Sequence, residues 1–384
     1  MKYRQLGKTG IKSSILGFGA MRLPLLDEHP EHVDIKQTEL MVDYAVNHGI
    51  NMFDSAWLYH TFDRSKPGVS ESILGDILSQ GYYEKVHVST KMPSWEMKTW
   101  EYFDTTLDEQ LQRLKTDQIE LFFVHSIKDS FYEDIKNAGL YEFLDRVLSD
   151  GRIKHVCFST HGSYDFLNQI LEDYDKWEVV LTQLNYLDEE DNTGLKGVKQ
   201  LNKLGIGTMI MEPLRGGKLA GNQPKTVQDI FNKSNRNYKP IEWAFNYLWD
   251  KKEVNCVLSG MSTLEQVKEN IELVENAEIG MLTDEDKEVL KSVKKEYDNL
   301  ISIPCTECNY CMPCPLGVNI PKCFKEYNLD NLGDKSINSI QYHFHMHDDK
   351  KAHNCVNCKK CISSCPQSID IPSELKKIEK HFGA

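Results

Sequence analysis

Eight short apolar runs, separated by longer segments with helical periodicity, constrain the fold of this chain more than any other feature. The runs are Ser14–Gly19, Asn51–Ala56, Val86–Lys91, Ile119–His125, Ile153–Ser159, Val179–Asn185, Gly207–Pro213 and Val254–Gly260. Eight strand–helix units are what a (β/α)₈ barrel requires, and a typical barrel length of ~250 residues fits. A doubly wound sheet also alternates, but it normally opens on G-x-G-x-x-G, and the nearest candidate, Gly17-Phe-Gly19-Ala-Met-Arg22, lacks the third glycine. The pattern therefore predicts an α/β fold built as a barrel.

Two further elements flank the repeat. The segment Tyr3–Lys12, with glycines at positions 7 and 10, predicts a short hairpin outside the barrel. Thr283, followed directly by acidic residues, predicts the N-cap of a helix that runs towards Leu300. We therefore expect a barrel over residues 1–282, a linker helix over residues 283–300 and a separate domain over residues 301–384.

The cysteines are concentrated in this last part. Nine of the eleven fall between Cys305 and Cys365, and such density in a chain without an export signal indicates metal binding rather than disulfides. One run, C-x₂-C-x₂-C-x₂-C-P, extends from Cys305 to Pro315, and a second, C-x₂-C-x₂-C-x₃-C-P, extends from Cys355 to Pro366. Soft thiolates suit iron–sulfur clusters, and the tight C-x₂-C-x₂-C loop places three ligands around one cubane.

The fourth cysteine of each run, which precedes proline, usually ligates the other cluster in two-cluster ferredoxins. We therefore predict one [4Fe–4S] cluster held by Cys305, Cys308, Cys311 and Cys365, and a second held by Cys355, Cys358, Cys361 and Cys314. The first run is one residue shorter before its last cysteine than the bacterial pattern, which weakens this crossed assignment. Two zinc sites are the alternative, although zinc gains nothing from triplets followed by Cys-Pro.

Four residues near the ends of successive strands suit the reduction of a carbonyl group. Asp54, Lys91 and His125 end the second, third and fourth apolar runs or lie near their ends, and Tyr59 follows Asp54 in the next loop. Barrel active sites lie at this C-terminal face. A tyrosine hydroxyl with a pKa of ~10 is a poor proton donor at neutral pH, and a neighbouring Lys⁺ lowers that pKa. Asp54 can supply the counter-charge that a buried lysine needs, and His125 can orient the substrate oxygen.

The segments around these residues resemble those of aldo-keto reductases. They are INMFDSAWLYH, VSTKM, FFVHS and Val69-Ser70-Glu71-Ser72, which opens the second helix. The resemblance implies a (β/α)₈ barrel that binds a nicotinamide cofactor without a Rossmann motif. It also implies that Tyr59 is the general acid, that Lys91 and Asp54 tune it, and that His125 positions the carbonyl. The tail resembles a small α+β ferredoxin-like dicluster domain, which one branch of the family carries.

The same resemblance implies cofactor contacts at the end of strand 1, at the ends of strands 5 and 6, in the MEPLRGG loop, and just before and on the helix after strand 8. In that order they are Gly19, Ala20 and Met21; Ser159 and Gln183; Pro213 and Leu214; and Ser262, Gln266, Glu269 and Asn270. Gln266 replaces an arginine that grips the 2′-phosphate of NADPH, and Thr263-x-x-Gln266 also fits a capping box. NADP and NAD therefore both stay open, with Lys268 as a substitute for the arginine.

Composition limits the partners and the location. A formal net charge of −13 argues against binding to nucleic acid or to an acidic membrane, which needs dense Lys and Arg. No apolar run approaches the ~20 residues that span a bilayer, and the N-terminus lacks the apolar core of a signal peptide, so we expect a cytoplasmic protein.

The expected function is an oxidoreductase that reduces an aldehyde or ketone, or oxidises the alcohol, with NAD(P)(H). Nicotinamide moves hydride whereas clusters move single electrons, and a flavin normally mediates between them. The clusters are therefore expected to serve structure, to feed a radical step on the substrate, or to exchange electrons with a redox partner such as a ferredoxin or flavoprotein. The alternative is an electron-transfer module in which the barrel is a scaffold or works with a flavoprotein partner.

Overall fold

In a computed structural model, which describes residues 1–61, 63, 65–331, 342–343 and 346–383, the chain divides into two compact units. The first unit comprises Met1–Pro213 and Ala244–Leu282, and the second comprises Leu214–Trp243 and Thr283–Ala384. The segment after the seventh barrel strand therefore belongs to the second unit, although it lies inside the barrel region of the sequence.

The first unit is a closed barrel of eight parallel strands, preceded by an antiparallel hairpin. The hairpin strands are β1 Tyr3–Gln5 and β2 Lys12–Ser14, and the barrel strands are β3 Leu16–Gly19, β4 Met52–Asp54, β5 His87–Pro93, β6 Ile119–Ile127, β7 Ile153–Thr160, β8 Val179–Gln183, β9 Gly207–Met211 and β10 Cys256–Ser259. Strand β10 pairs with both β9 and β3 and so closes the barrel. The predicted hairpin and all eight predicted strands are confirmed, and the doubly wound sheet is excluded.

The helices follow the strands, and several of them begin at polar side-chain caps. They are α1 Ile35–Asn47, α2 Ser70–Leu78, α3 Trp100–Leu114, α4 Asp129–Asn137, α5 Leu140–Ser149, α6 Tyr164–Asp173, α7 Gly194–Leu204, α8 Lys225–Asn232, α9 Pro240–Trp249, α10 Leu264–Val274, α11 Asp284–Leu300, α12 Ile320–Asn331 and α13 Ile371–Phe382. The side chains of Asp34, Thr99 and Ser163 each accept a hydrogen bond from the backbone N–H three residues on. Thr283 and Asp286 form a complete capping box, so α11 begins and ends where the sequence predicts.

Apolar side chains fill the interior of the barrel. The buried cluster consists of Leu6, Ile11, Met52, Leu121, Phe123, Cys157, Val179, Leu181, Met209, Cys256 and Leu258. Cys157 and Cys256 are fully buried there and act as small hydrophobic residues. Because the interior is packed, polar side chains gather at the carboxyl ends of the strands.

The second unit has a core of its own. Its buried residues are Ile303, Val318, Ile320, Cys323, Phe324, Tyr342, Met346, Ala352, Ile369, Ile371, Leu375, Ile378 and Phe382, and six of the cysteines of the two runs pack against them. Helices α12 and α13 contact each other in this core. None of the helices in the described ranges has the length and apolar character needed to cross a bilayer.

Candidate functional site

Three of the four strand-end residues are in direct contact. Lys91 Nζ donates hydrogen bonds to Asp54 Oδ2 at 2.6 Å, to the Ser55 carbonyl at 2.6 Å and to Tyr59 Oη at 2.9 Å. Ser89 Oγ donates to the other carboxylate oxygen of Asp54 at 2.6 Å. The exposed fractions are 0% for Lys91, 2% for Asp54 and 8% for Tyr59. The ammonium, the carboxylate and the phenol therefore form one buried, hydrogen-bonded group.

Burial and charge act on Lys91 in opposite directions. Burial lowers the pKa of Lys91, and the carboxylates of Asp54 and Glu71 raise it. The salt bridge to Asp54 is the strongest of these opposing contacts, because Asp54 acts both through its charge and through a hydrogen bond. A buried ammonium without such a partner would be costly.

His125 completes the set from β6. Its ring meets that of Tyr59 edge to face, with centroids 6.1 Å apart, and the ring of Trp95 lies 5.4 Å away on another side. The backbone carbonyl of His125 accepts a hydrogen bond from Ser94 Oγ. The structure thus brings together all four residues of the predicted catalytic set.

The loop that carries Tyr59 is held by the start of α2. The Gly68 N–H donates to the Trp57 carbonyl at 2.7 Å, and Ser70 Oγ lies 2.9 Å from Ser55 Oγ. A Cβ atom at Gly68 would lie 1.9 Å from the carbonyl oxygen of Tyr59. Only glycine therefore permits this close approach.

The two predicted carboxamide ligands lie at the ends of neighbouring strands. Ser159 Oγ accepts the Ser126 N–H at 2.7 Å, which leaves its hydroxyl proton to donate to a carboxamide oxygen. Gln183 is fully buried and donates to Asp188 Oδ2 at 2.8 Å. The sequence did not single out His161, which hydrogen-bonds Gln183 and whose pKa burial lowers to about 4. Its imidazole is therefore neutral at pH 7.

Helix α10 carries the predicted phosphate and adenine contacts. Thr263 Oγ1 accepts the Gln266 N–H at 3.2 Å, and Gln266 Oε1 accepts the Ser262 N–H at 2.8 Å. The expected capping box is therefore modified: the Gln266 side chain accepts the N–H of Ser262, the residue before the N-cap Thr263, and not the N–H of Thr263 itself. Asn270 is buried and donates to Ser259 Oγ at 3.0 Å, and its Oδ1 has no partner in the part of the chain that is described. Lys268 Nζ lies over the ring of Tyr44, 5.5 Å from its centroid.

Glu269 is half-buried on α10, and the remaining predicted cofactor residues also lie on or near strand ends. Gly19 ends β3, followed by buried Ala20 and half-buried Met21. Pro213 is buried, and the Leu214 carbonyl accepts the N–H groups of Gly217 and Leu219, both at 3.0 Å.

Arg22 is a further polar residue near the start of α10 that the sequence did not reveal. Its carbonyl accepts a hydrogen bond from Ser262 Oγ at 2.7 Å. A Cβ atom at Gly260 would lie 3.2 Å from three side-chain atoms of Arg22. An arginine from the loop after β3 therefore packs against the segment that leads into α10, a contact that spacing along the chain does not predict.

The two cysteine loops of the second unit have the same backbone geometry. The second and fourth residues after the first cysteine are left-handed in both, with φ of 57° at Glu307, 62° at Asn309, 55° at Asn357 and 62° at Lys359. Left-handed residues among right-handed ones turn backbone N–H groups towards one concave side, an arrangement found at iron–sulfur sites. The loops therefore fit the clusters that their cysteines predict.

A second repeat follows the loops. The segments Cys314–Pro321 and Cys365–Pro372 share the pattern C-P-x-x-[VI]-[ND]-I-P, which overlaps the end of each cysteine run and extends beyond it. Asn319 and Asp370 occupy equal positions and cap α12 and α13 by accepting a backbone N–H. The unit is thus built from two similar loop–helix halves.

The thiols that act on each cysteine triplet include the fourth cysteine of the other run. Burial raises the pKa of Cys311, and the thiols near enough to add to this effect are Cys308, Cys305, Cys365 and Cys361. Burial likewise raises the pKa of Cys361 to about 11, with further contributions from Cys355, Cys358 and Cys314. The pattern matches the crossed sets, apart from the contact between Cys311 and Cys361.

Two cations also lie at the first loop. Lys218 Nζ donates to the Cys305 carbonyl at 2.6 Å and lies 3.8 Å from Glu307 Oε1. Lys325 Nζ lies 3.8 Å from the other oxygen of the same carboxylate.

Comparison with known proteins identifies both parts of the chain. A model of the aldo/keto reductase family matches residues 15–294, and a model of the 4Fe-4S dicluster domain matches residues 304–371. The L-galactose dehydrogenase of Arabidopsis thaliana is 26% identical over 77% of this chain and 93% of its own length. The 6-dehydroglucose reductase of Novosphingobium aromaticivorans is 29% identical over 59% of this chain and 73% of its own.

Solved structures agree with the fold. The holo form of an aldo-keto reductase from Bacillus halodurans superposes with a TM-score of 0.63 at 22% identity, covering 76% of this chain and 96% of that one. At this identity the likeness concerns the fold alone.

Proposed function

Because the chain belongs to the aldo/keto reductase family and carries a C-terminal 4Fe-4S dicluster domain, we propose that it interconverts a carbonyl compound and its alcohol with NAD(P)(H). The observation that carries this proposal is the buried contact between Lys91 Nζ, Asp54 and Tyr59 Oη. A phenol that is hydrogen-bonded to an ammonium can donate its proton to a substrate oxygen.

Each member of the group has a role in reduction. The substrate oxygen gains negative charge as its carbon is reduced, and Tyr59 Oη gives it a proton. Lys91 stabilises the phenolate that is left, and Asp54 keeps Lys91 charged. His125, on the other side of Tyr59, orients the carbonyl. In the oxidation direction the same residues act in reverse.

The residues present fit a nicotinamide cofactor. Ser159 and Gln183 would hold the carboxamide, Gly19, Ala20 and Met21 the nearby ribose, Pro213 and Leu214 the pyrophosphate, and Ser262, Gln266, Glu269 and Asn270 the phosphate and adenine. A bound NAD(P)H supplies the hydride that reduces the carbon. The Oδ1 of Asn270, which has no hydrogen-bond partner within the described residues, would accept an adenine amino group.

The dicluster domain would hold two [4Fe–4S] clusters in the crossed sets, which supply one-electron transfer. One set is Cys305, Cys308, Cys311 and Cys365, and the other is Cys355, Cys358, Cys361 and Cys314. A flavoprotein or ferredoxin is the class of partner that such clusters serve, since single electrons do not pass directly to a hydride carrier. Cytoplasmic location follows from the need to keep the thiols reduced until iron binds.

Two of the relatives act on sugars by name, which suggests the first substrates to assay. The ring of Trp95 lies 5.4 Å from that of His125, and flat aromatic faces suit the apolar face of a sugar. We therefore propose sugar aldehydes, and sugars with a free anomeric hydroxyl, as the starting panel.

The test uses the anaerobically purified holoprotein. It should contain about eight iron and eight sulfide, as two cubane clusters require, and it should turn over members of the panel with NADPH or NADH. Tyr59→Phe should lower kcat by about 10²- to 10⁴-fold, the range typical for a lost general acid, with iron content unchanged.

Two outcomes would contradict the proposal. Normal turnover by Tyr59→Phe would remove the catalytic group. No turnover by the wild-type holoprotein with any carbonyl or alcohol, together with full iron content, would favour the electron-transfer module instead.

A further inference from the structure

Glu71 is a buried carboxylate that the chemistry above leaves unused. It lies in the first turn of α2 with an exposed fraction of 0%. A buried carboxylate is costly unless it is paired and hydrogen-bonded, so its partners indicate its purpose. It belongs to the segment Val69-Ser70-Glu71-Ser72, which the sequence had singled out without a role.

Three side chains donate to this carboxylate. Thr90 Oγ1 donates to Oε1, Gln110 Nε2 donates to Oε1 at 2.6 Å, and Arg113 Nε donates to Oε2 at 2.8 Å. Thr90 and Gln110 are fully buried, and the Arg113 side chain is 16% exposed. Glu71 is therefore the centre of a polar network that joins α2, β5 and α3.

The network reaches the backbone of Lys91. Gln110 Nε2 also donates to the Lys91 carbonyl at 3.2 Å. The same carbonyl accepts the Trp57 N–H at 3.1 Å, and Trp57 lies two residues before Tyr59. The carbonyl oxygen of Lys91 is thus hydrogen-bonded both to the loop that carries Tyr59 and to Gln110, which in turn donates to Glu71.

The network is not optimised for stability alone. Within the described residues, Gln110 Oε1 and Arg113 Nη2 are buried without a hydrogen-bond partner. Buried ion pairs are often replaced by apolar residues of similar volume without loss of stability, and unsatisfied atoms make this one costlier still. Such an arrangement calls for an explanation beyond packing.

The charge of Glu71 supplies such an explanation. Its carboxylate raises the pKa of Lys91, as the carboxylate of Asp54 also does. The charged or titratable groups that act on Lys91 are Asp54 from β4, Tyr59 from the next loop and Glu71 from α2. Arg113 from α3 donates to Glu71, and His125 from β6 packs against Tyr59. Glu71 is the second anion among them.

We propose that Glu71 is a positioning residue for the Tyr59–Lys91 pair: it fixes the Lys91 backbone through Gln110 and holds the Lys91 side chain as an ammonium. This inference rests on the proposed roles of Tyr59 and Lys91. It makes two claims, one about the position of the Lys91 backbone and one about the charge of the Lys91 side chain, and different variants test each claim.

Three variants of the holoprotein form the test, each measured as kcat against pH. Glu71→Gln keeps the shape and removes the anion, so Lys91 loses its proton at lower pH. In the profile of kcat against pH for carbonyl reduction, the fall at high pH (the high-pH limb) should begin about one pH unit lower than in the wild type, which is a tenfold change in acid dissociation constant. Arg113→Gln removes the cation instead, so its limb should move up. Gln110→Leu removes only the bridge, so it should lower kcat without moving the limb.

A readout independent of turnover keeps the inference separate from the proposed function. The ¹³Cζ signal of Tyr59, assigned by its loss in Tyr59→Phe, reports the ionisation of the pair in the resting protein. It should titrate at lower pH in Glu71→Gln and at higher pH in Arg113→Gln than in the wild type. These shifts are expected even if no substrate is turned over.

An unmoved titration in both charge variants would overturn the inference, because a purely structural role would lower stability or kcat at every pH alike. Should Glu71→Gln fail to fold, Arg113→Gln decides alone, since its side chain reaches the surface. A titration that is unmoved or moved to lower pH in that variant would overturn the inference.

Discussion

The two candidate sites of this chain differ in what completes them. In the barrel, Lys91 already has three acceptors within 2.9 Å, and its carboxylate partner has a further donor. In the cysteine loops, burial raises the pKa of Cys361 to about 11, so that thiol is protonated at neutral pH until iron replaces the proton. The barrel site is assembled by the polypeptide, whereas the cysteine site is assembled by its metal.

The burial of the two sites differs in the same sense. Asp54, Tyr59 and Lys91 have exposed fractions of 0 to 8%, while Cys358 is exposed and most of the other run cysteines are half-buried. A preorganised site gains catalytic power from excluding water, and a site for electron exchange gains from being near the surface. The contrast predicts that damage to the cysteine loops leaves the barrel chemistry intact.

The largest expected effect comes from removing cysteines in pairs. In the crossed assignment Cys308 and Cys365 hold the same cluster, so Cys308→Ala with Cys365→Ala should leave about four iron. Cys308→Ala with Cys314→Ala should leave almost none, because it damages both clusters. Iron and sulfide analysis of the anaerobic proteins distinguishes the two.

The reverse result, with four iron in the second pair and none in the first, would establish ligation within each run. Tyr59-dependent turnover should stay within about twofold of wild type in both pairs, since kcat changes little when the reacting groups keep their positions. Loss of turnover in parallel with iron would break the contrast between the sites.

The sequence predicted the parts of both sites that follow a periodic or fixed spacing. Strand ends gave Asp54, Lys91 and His125, because strand position fixes which residues reach the C-terminal face. The C-x₂-C-x₂-C runs indicated the cysteines that are proposed to hold the clusters for a similar reason. Each of these predictions needed only local geometry.

What the sequence did not predict depends on packing between helices. Glu71, Gln110 and Arg113 come from α2 and α3, and nothing in their spacing shows that they meet behind Lys91. Gln110 and Arg113, three residues apart on α3, are ordinary helix residues by composition. The left-handed Glu307 in the first loop carries no signal either, since glutamate rarely adopts that conformation.

The second effect tests whether Asp54 supplies the charge that keeps Lys91 protonated in the barrel site. Asp54→Asn removes the carboxylate that most strongly raises the pKa of Lys91. The pKa of Lys91 should fall, so reduction should be lost at lower pH than in the wild type, and kcat should drop about 10²-fold. The profile of kcat against pH measures both.

Ser89→Ala is the matched control for this change. It removes a neutral donor to Asp54 Oδ1 and leaves the charge. A small loss of kcat with an unmoved high-pH limb is expected. An equal shift of the limb in the two variants would show that hydrogen-bond geometry, rather than charge, sets the behaviour of Lys91.

A third effect concerns a cation that the polypeptide places at the first cysteine loop. Lys218→Met removes the ammonium that donates to the Cys305 carbonyl. Loss of a nearby positive charge disfavours reduction, so the potential of the cluster held by Cys305 should fall by about 60 mV, a tenfold change in a one-electron equilibrium. Potentiometric titration followed by electron paramagnetic resonance measures the shift.

Lys360→Met is the control, since Lys360 lies in the second cysteine loop but is exposed. Water and salt screen an exposed charge, so little change in either potential is expected. Equal shifts in the two variants would mean that net charge, and not the buried contact of Lys218, sets the potential.

The smallest effect tests how far preorganisation extends from the catalytic group towards the cofactor phosphates. Arg22 packs against Gly260 beside the start of α10, whereas Lys268 lies over the ring of Tyr44. If Arg22 takes the role of the missing arginine, Arg22→Gln should lower the ratio of kcat/KM for NADPH over NADH about fivefold, the size of one exposed ion pair of about 1 kcal/mol. Lys268→Gln should change that ratio less, because its ammonium is already engaged by an aromatic face. A larger change in Lys268→Gln than in Arg22→Gln would place the phosphate contact on α10 itself. Preorganisation by packed side chains would then extend only to the residues around the nicotinamide and not to those around the phosphate.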